Sequence, residues 1–68
     1  MLNEFRLDGD IGAFRVSVRA ANVRERPATG ARKTDLLKRG ALVKSLGRVA
    51  GTRWYAVEQE RQFIGFMY

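Results

Sequence analysis

The chain has 68 residues, no cysteine, no histidine and a formal net charge of +6. A chain of this length forms one domain with a small core, and without cysteine or histidine it forms neither a disulfide nor an ordinary zinc site. Catalysis by a Cys–His pair or a Ser–His–Asp triad is excluded for the same reason, so we predict a chain that is not an enzyme, with no catalytic residues, no metal and no cofactor.

Charge is divided unevenly along the chain. Residues 1–12 carry one base and three acids, a net charge of −2, whereas residues 13–68 carry twelve bases and four acids, a net charge of +8. The apolar residues of the first part follow neither the helix period nor the strand period, although they could pack on a neighbouring element; they are Leu2, Phe5, Leu7 and Ile11. We therefore predict a lead-in or linker over residues 1–12, which could also fold back on the basic domain over 13–68.

An alternation of apolar and polar residues from Ala13 predicts the first strand. Every second residue is small or apolar, namely Phe14, Val16, Val18 and Ala20. A period of two places one face of a strand in the core and the other in water, and Val23 extends the same strand. Pro27 and Gly30 then predict a long polar loop over residues 25–35, because proline fixes φ and glycine allows positive φ.

Three further strands follow, separated by turns. We predict strands over residues 41–47, 53–58 and 63–68, with turns at residues 38–40, 51–52 and 59–61. The inward face of the strand over 41–47 is undecided, because Leu42 and Val43 have opposite parity. Short strands at roughly ten-residue spacing, with Gly or Pro between them, predict a small all-β sandwich or barrel.

Five short motifs stand in order along residues 14–68. They are Asn22-Val23-Arg24-Glu25-Arg26-Pro27, Leu36-Leu37-Lys38-Arg39-Gly40, the apolar strand over 41–46, Trp54-Tyr55-Ala56-Val57 and Gly65-Phe66-Met67. In sequence and spacing they resemble the bacterial SH3 domain family. The resemblance implies an SH3-like barrel of about five short antiparallel strands over residues 13–68.

The chain departs from the family pattern in its last third. The glycine that usually forms the hairpin before the last strand is missing, and Glu60, Arg61 and Gln62 occupy a turn that we predict to be one residue longer. The final aromatic residue is Phe66 where the family usually has tryptophan. Whether the last strand continues past Tyr68 stays open.

The resemblance also implies a non-catalytic binding module with a groove between the long loop and the turn that carries Trp54. Aromatic faces in such a groove hold an extended peptide. The candidate ligand-binding residues are Trp54, Phe66, Tyr68, Tyr55, Arg24 and Arg26. Among them we expect Trp54 to be accessible and the two arginines to lie on the rim; the alternative for each aromatic is that it fills the core.

Peptidoglycan, its peptides, or another domain of a larger protein are the partners that the resemblance implies. It favours the bacterial envelope or the outside of the cell, although the chain shows no signal peptide and no membrane span. The alternative is a basic barrel that binds single-stranded nucleic acid by stacking and phosphate contacts. Against it, the bases are spread over every strand and loop, and no RNA-binding signature is present.

Overall fold

Six antiparallel strands form a single sheet in the computed structural model, which describes residues 4–68. The strands are β1 (Gly12–Arg15), β2 (Ala20–Arg24), β3 (Lys33–Lys38), β4 (Leu42–Arg48), β5 (Tyr55–Gln59) and β6 (Gln62–Met67). Their order in the sheet is β1-β4-β5-β6-β2-β3, and the described residues contain no α-helix. The predicted all-β class is confirmed, with six strands where about five were expected. The long loop predicted over residues 25–35 ends at residue 32, because β3 begins at Lys33.

The single first strand predicted from Ala13 is wrong, because the structure divides it into β1 and β2. Between them, residues 16–19 cross the turn that follows β3. The carbonyl oxygen of Val16 accepts a hydrogen bond from the amide of Gly40 at 2.8 Å. The inward parity changes at this crossing, so Val18 is 54% exposed. The sequence does not reveal this change, because β2 begins with two alanines, whose side chains are too small to indicate which of them faces the core.

The sheet buries apolar side chains on both of its faces. The inner cluster consists of Val16, Val23, Leu37, Val43, Val57 and Met67. The outer cluster consists of Val49, Trp54, Ala56 and Phe66. Consecutive residues of β5, Ala56 and Val57, belong to different clusters, as the period of two along a strand requires. Along β4 the same alternation buries Val43 and leaves Leu42 55% exposed, which decides the face that the sequence left open.

Residues 4–11, which we call the N-terminal strap, cover the outer cluster. The ring of Phe5 meets that of Phe66 edge to face, with the ring centroids 5.2 Å apart. Leu7 forms an isolated antiparallel bridge with Val49 and packs against the same cluster. The strap therefore supplies apolar surface that this face of the sheet would otherwise expose to water.

Polar contacts also hold the strap against the end of β4. The amide of Asp8 donates to the carbonyl oxygen of Arg48 at 2.7 Å. The Nε of Arg48 donates in turn to a carboxylate oxygen of Asp10 at 3.2 Å. The boundary predicted after residue 12 falls within β1, and the division of the chain there stays a prediction. Leu2, which was expected to pack on a neighbouring element, lies outside the described residues.

The hairpin between β5 and β6 is tighter than expected. Gln59 pairs with Gln62, so the turn has two residues, Glu60 and Arg61, with φ angles of 52° and 67°. Two consecutive positive φ angles are typical of the type I′ turn, which suits the twist of a hairpin. The prediction of a longer turn is therefore wrong: Gln62 belongs to β6, and two residues other than glycine adopt the left-handed conformation.

Candidate ligand-binding groove

Two open grooves meet at Tyr68. The loop groove, with a volume of about 290 Å³, is lined by Val18, Asn22, Arg24, Thr29, Trp54 and Tyr68, among others. The strap groove, with a volume of about 440 Å³, is lined by Ile11, Phe14, Tyr55, Met67 and Tyr68, among others. Tyr68 borders both grooves, and we call the two grooves together the tyrosine track.

The loop groove lies between the long loop and the turn that carries Trp54, where the sequence placed a groove. Thr29 comes from the long loop, and Asn22 and Arg24 come from the strand that precedes it. The amide of Glu25 donates to the carbonyl oxygen of Arg32 at 2.8 Å and so closes the base of the loop.

Trp54 is buried, with 7% of its surface exposed, so the expectation that it is accessible is wrong. Its backbone carbonyl oxygen accepts from the amide of Val49 at 2.8 Å, and its amide donates to the hydroxyl oxygen of Thr52 at 3.0 Å. These bonds hold the residue in the outer cluster, which the strap completes. What remains exposed of the indole borders the loop groove.

Phe66 has no exposed surface, so its side chain offers a ligand nothing to contact and its placement in the groove is wrong. Its ring lies between those of Phe5 and Phe63, with centroid separations of 5.2 and 5.4 Å and edge-to-face geometry in both pairs. Such pairs add to the stabilisation that burial alone gives. The residue therefore supports the sheet beneath the groove.

Tyr68 and Tyr55 are the aromatic candidates that keep exposed surface. Tyr68 is 70% exposed as a residue, and its ring packs edge to face on Trp54, with centroids 5.3 Å apart. Tyr55, the first residue of β5, is half-buried and borders the strap groove, whereas the preceding residue Trp54 borders the loop groove. Of the predicted aromatic residues, these two keep the surface that a ligand needs.

The two predicted arginines have different surroundings. Arg24 is half-buried, and its Nη1 donates to the carbonyl oxygen of Ala31 at 2.9 Å, so it fastens the long loop to β2 while bordering the loop groove. Arg26 is exposed and lies 3.7 Å from a carboxylate oxygen of Glu4, in a surface ion pair of the kind that contributes little to stability. The structure does not place Arg26 in either groove.

Two exposed apolar residues of the grooves were absent from the predicted set. Ile11, 72% exposed, borders the strap groove, and Val18, 54% exposed, borders the loop groove. Val18 was assigned to the core by the alternation of its strand. Ile11 stands among glycines and acids, and the apolar residues around it follow neither the helix nor the strand period. The sequence therefore did not indicate that it borders a groove.

Two further features of the described residues bear on function. Over residues 4–68, no helix has the length and apolar character that crossing a membrane requires. In the same part of the chain, no three acidic side chains gather in the way that would hold a metal ion. Lys44 of β4 and Glu58 of β5 form a cross-strand pair, with Lys44 Nζ 3.9 Å from a carboxylate oxygen of Glu58.

Comparison with known proteins gives one match. A family model described as bacterial SH3 domain matches residues 19–68, well over half of the chain. The matched part includes β2 to β6 and the loop groove's aromatic pair, whereas the strap and β1 precede it. No curated protein and no solved structure matches the chain significantly.

Proposed function

From the premise that the chain belongs to the bacterial SH3 domain family, whose members are commonly binding modules, we propose that it is a non-catalytic module that binds an extended peptide along the two grooves. The observation that carries the proposal is the exposed residue Tyr68, which borders both grooves and whose ring packs on a buried tryptophan. Rigid, partly supported aromatic side chains are the residues that most often dominate the affinity of binding surfaces.

The shape of the track suits an extended chain better than a compact ligand. Ile11 offers exposed apolar surface in the strap groove and Val18 in the loop groove, so a peptide that reached both would find an apolar contact in each. The exposed amide of Asn22 supplies a donor and an acceptor for the backbone of such a peptide. This combination is typical of grooves that recognise peptides in extended conformation.

The peptide portion of peptidoglycan is the ligand that we propose, in the bacterial envelope or outside the cell. This choice rests on family membership, since domains of this family are often associated with the envelope. A domain of a longer protein would use the same track if it presented an extended segment. In both cases the groove residues are Tyr68, Tyr55, Arg24 and the exposed edge of Trp54.

Amide NMR spectra recorded during a titration with soluble peptidoglycan fragments test this proposal. We expect shifts at Tyr68, Thr29 and Ile11 that persist at high salt, because apolar contacts are screened little by ions. Tyr68→Ala should weaken binding about tenfold or more, as truncation of a central aromatic contact does, whereas Tyr68→Phe should retain most of it. Leu36→Ala is the matched control, since Leu36 is 52% exposed on β3 and lies outside both grooves.

A parallel titration with a short mixed-sequence single-stranded oligonucleotide tests the alternative. Binding through phosphates weakens steeply with salt, with a slope of about −0.7 for each phosphate contacted. Salt-sensitive shifts with the oligonucleotide, and none with the wall fragments, would overturn the proposal. Silence in both titrations would also overturn the wall ligand and would direct the search to protein partners.

A further inference from the structure

Two chain segments cross at one corner of the sheet, and Val18 of this crossing also borders the loop groove. The amide of Arg39 donates to the carbonyl oxygen of Arg19 at 3.1 Å, and the amide of Gly40 donates to that of Val16 at 2.8 Å. The crossing brings together residues 15–19, from the end of β1 to the start of β2, and residues 38–41, from the end of β3 to the start of β4.

Four exposed bases belong to this crossing, which we call the basic corner: Arg15, Arg19, Lys38 and Arg39. Lys38 lies opposite Ala20 at the start of β2, directly beside Arg19 in the register. Because the backbone bonds fix both segments, the four positive charges are held near one another by the fold and do not depend on a flexible tail.

None of these four bases takes part in the ion pairs that the structure forms within residues 4–68. Those pairs are Arg26–Glu4, Arg32–Glu25, Lys44–Glu58 and Arg48–Asp10. The corner therefore carries a charge of +4, and no acid of residues 4–68 forms an ion pair with its bases. One guanidinium N–H of Arg15 is used internally, since its Nη1 donates to the carbonyl oxygen of Gly40 at 3.0 Å, and this bond supports the turn.

Exposed aliphatic side chains flank the basic corner. Val18 precedes Arg19 and is 54% exposed, and Leu42 lies opposite Arg15 in the β1–β4 register and is 55% exposed. Aliphatic groups that protrude beside bases are typical of surfaces that insert into the headgroup region of an anionic bilayer. Phosphates of nucleic acid would use the bases alone, and the corner offers no aromatic ring for stacking.

We propose that the basic corner docks on an anionic phospholipid surface, with the bases against the headgroup phosphates and Val18 and Leu42 among the upper acyl carbons. Charge complementarity decides between this occupant and a protein partner with an apolar patch, because four unpaired bases attract a surface with many phosphates. The proposal goes beyond peptide binding. Val18 borders both surfaces, but the residues substituted to test the corner, Arg19, Arg39 and Leu42, line neither groove, so the two proposals fail independently.

Co-sedimentation with vesicles of phosphatidylcholine, with or without phosphatidylglycerol, tests the proposal on the full chain. We expect binding only to the vesicles with phosphatidylglycerol, weakening as salt is raised. Arg19→Gln with Arg39→Gln should lower the partition coefficient roughly thirtyfold, since each base near an anionic surface contributes roughly fivefold. Arg15 is left in place because it supports the turn.

The matched control is Arg26→Gln with Arg32→Gln, which removes the same charge from two arginines that are already paired with acids. It should bind the vesicles nearly as well as the unchanged chain. An equal loss in both double variants would overturn the proposal, because the attraction would then depend on net charge alone.

The aliphatic part of the proposal has a test of its own. Leu42→Ser should weaken binding to the anionic vesicles several-fold, whereas Ile11→Ser, at an exposed position in the strap, should not. Full binding in Leu42→Ser, together with complete displacement by an oligonucleotide, would assign the corner to nucleic acid and overturn lipid docking. Thermal unfolding of each variant verifies that it is folded.

Discussion

The ring of Tyr68 meets that of Trp54 edge to face, with centroids 5.3 Å apart and an angle of 73° between the planes. The two residues differ tenfold in exposure, 70% for Tyr68 against 7% for Trp54. An exposed ring that rests on a buried one is oriented before any ligand arrives. Less side-chain freedom is then lost on binding, and affinity gains accordingly.

Truncation of these two rings should separate stability from binding. Trp54→Ala should lower the free energy of unfolding by about 3–5 kcal/mol, because it empties a packed site, whereas Tyr68→Ala should cost about 1 kcal/mol, the size of one aromatic pair. Chemical denaturation measures both. Equal costs for the two variants would contradict the burial difference. Since a domain of this size has only about 3–5 kcal/mol to lose, Tyr68 is the better position for testing ligand binding.

Gly65 should not tolerate a side chain. A Cβ at this position would lie 2.6 Å from the carbonyl oxygen of Arg24 and 2.8 Å from Cγ1 of Val23, and its φ of 137° is strained for other residues. We expect Gly65→Ala to lower the free energy of unfolding by about 2–4 kcal/mol. Gly30→Ala is the control, because nothing lies within 4 Å of its Cβ position and its φ is not positive.

The control should be neutral or stabilising by about 0.4–1 kcal/mol, since alanine restricts the unfolded chain. Urea denaturation of both variants under the same conditions checks the pair. A tolerated Gly65→Ala would show that β2 and β6 approach less closely than the structure has them.

The turn between β5 and β6 offers a gain in stability. Glu60→Asn combined with Arg61→Gly should raise the free energy of unfolding by about 1–2 kcal/mol, because Asn-Gly suits two consecutive positive φ angles. The double change removes one acid and one base, so the net charge of +6 is kept and a gain is not electrostatic. Arg61→Ala keeps the strained φ and should give no gain, which thermal unfolding can verify; an equal gain there would refute the turn geometry.

Much of the fold followed from the sequence because turn chemistry and strand period are local. The turns at Gly40 and at residues 51–52 were placed correctly, and the last three strands were placed within two residues of their positions along the chain. The break between β1 and β2 was missed because it depends on a crossing with a segment about twenty residues away. An alternation of small and branched residues, such as that from Val16 to Ala20, is the same whether or not the strand is interrupted.

The site was predicted less well, for a related reason. Sequence identifies aromatic residues but not the surface that covers them, and Phe66 is covered by a ring from the strap, some sixty residues earlier. A groove beside the long loop was expected from the family pattern, and an open groove bordered by Thr29 and Trp54 lies there, but that it binds a ligand stays a prediction. Tyr68 was in the predicted set, yet nothing local distinguished it from the buried aromatics.

Removal of the strap should test whether residues 1–12 are a linker or part of the domain. A chain that begins at Gly12 loses Phe5 and Leu7 from the outer cluster, so its free energy of unfolding should fall by about 2–4 kcal/mol. A chain that begins at Glu4 keeps both residues and serves as the control. Unchanged stability after removal of the whole strap would support the linker interpretation, and denaturant titration distinguishes the outcomes.

The hairpin of β2 and β3 is joined to the rest of the sheet along a narrow seam. In this seam Arg24 pairs with Phe66, and the hydroxyl of Thr34 donates to the carbonyl oxygen of Ile64 at 2.9 Å. Regions with few stabilising contacts open locally before the whole domain unfolds. The amide protons on both sides of this seam should therefore exchange with solvent through partial opening of the barrel.

The walls of the loop groove lie on opposite sides of the seam. Asn22 comes from the hairpin, whereas Trp54 and Tyr68 come from the other part of the sheet. An occupant of this groove touches both parts at once and so resists their separation, as any ligand selective for the closed state must. Occupancy of the groove would thus slow the hydrogen exchange of backbone amides along the seam, including that of Phe66, which is fully buried and out of reach of the ligand.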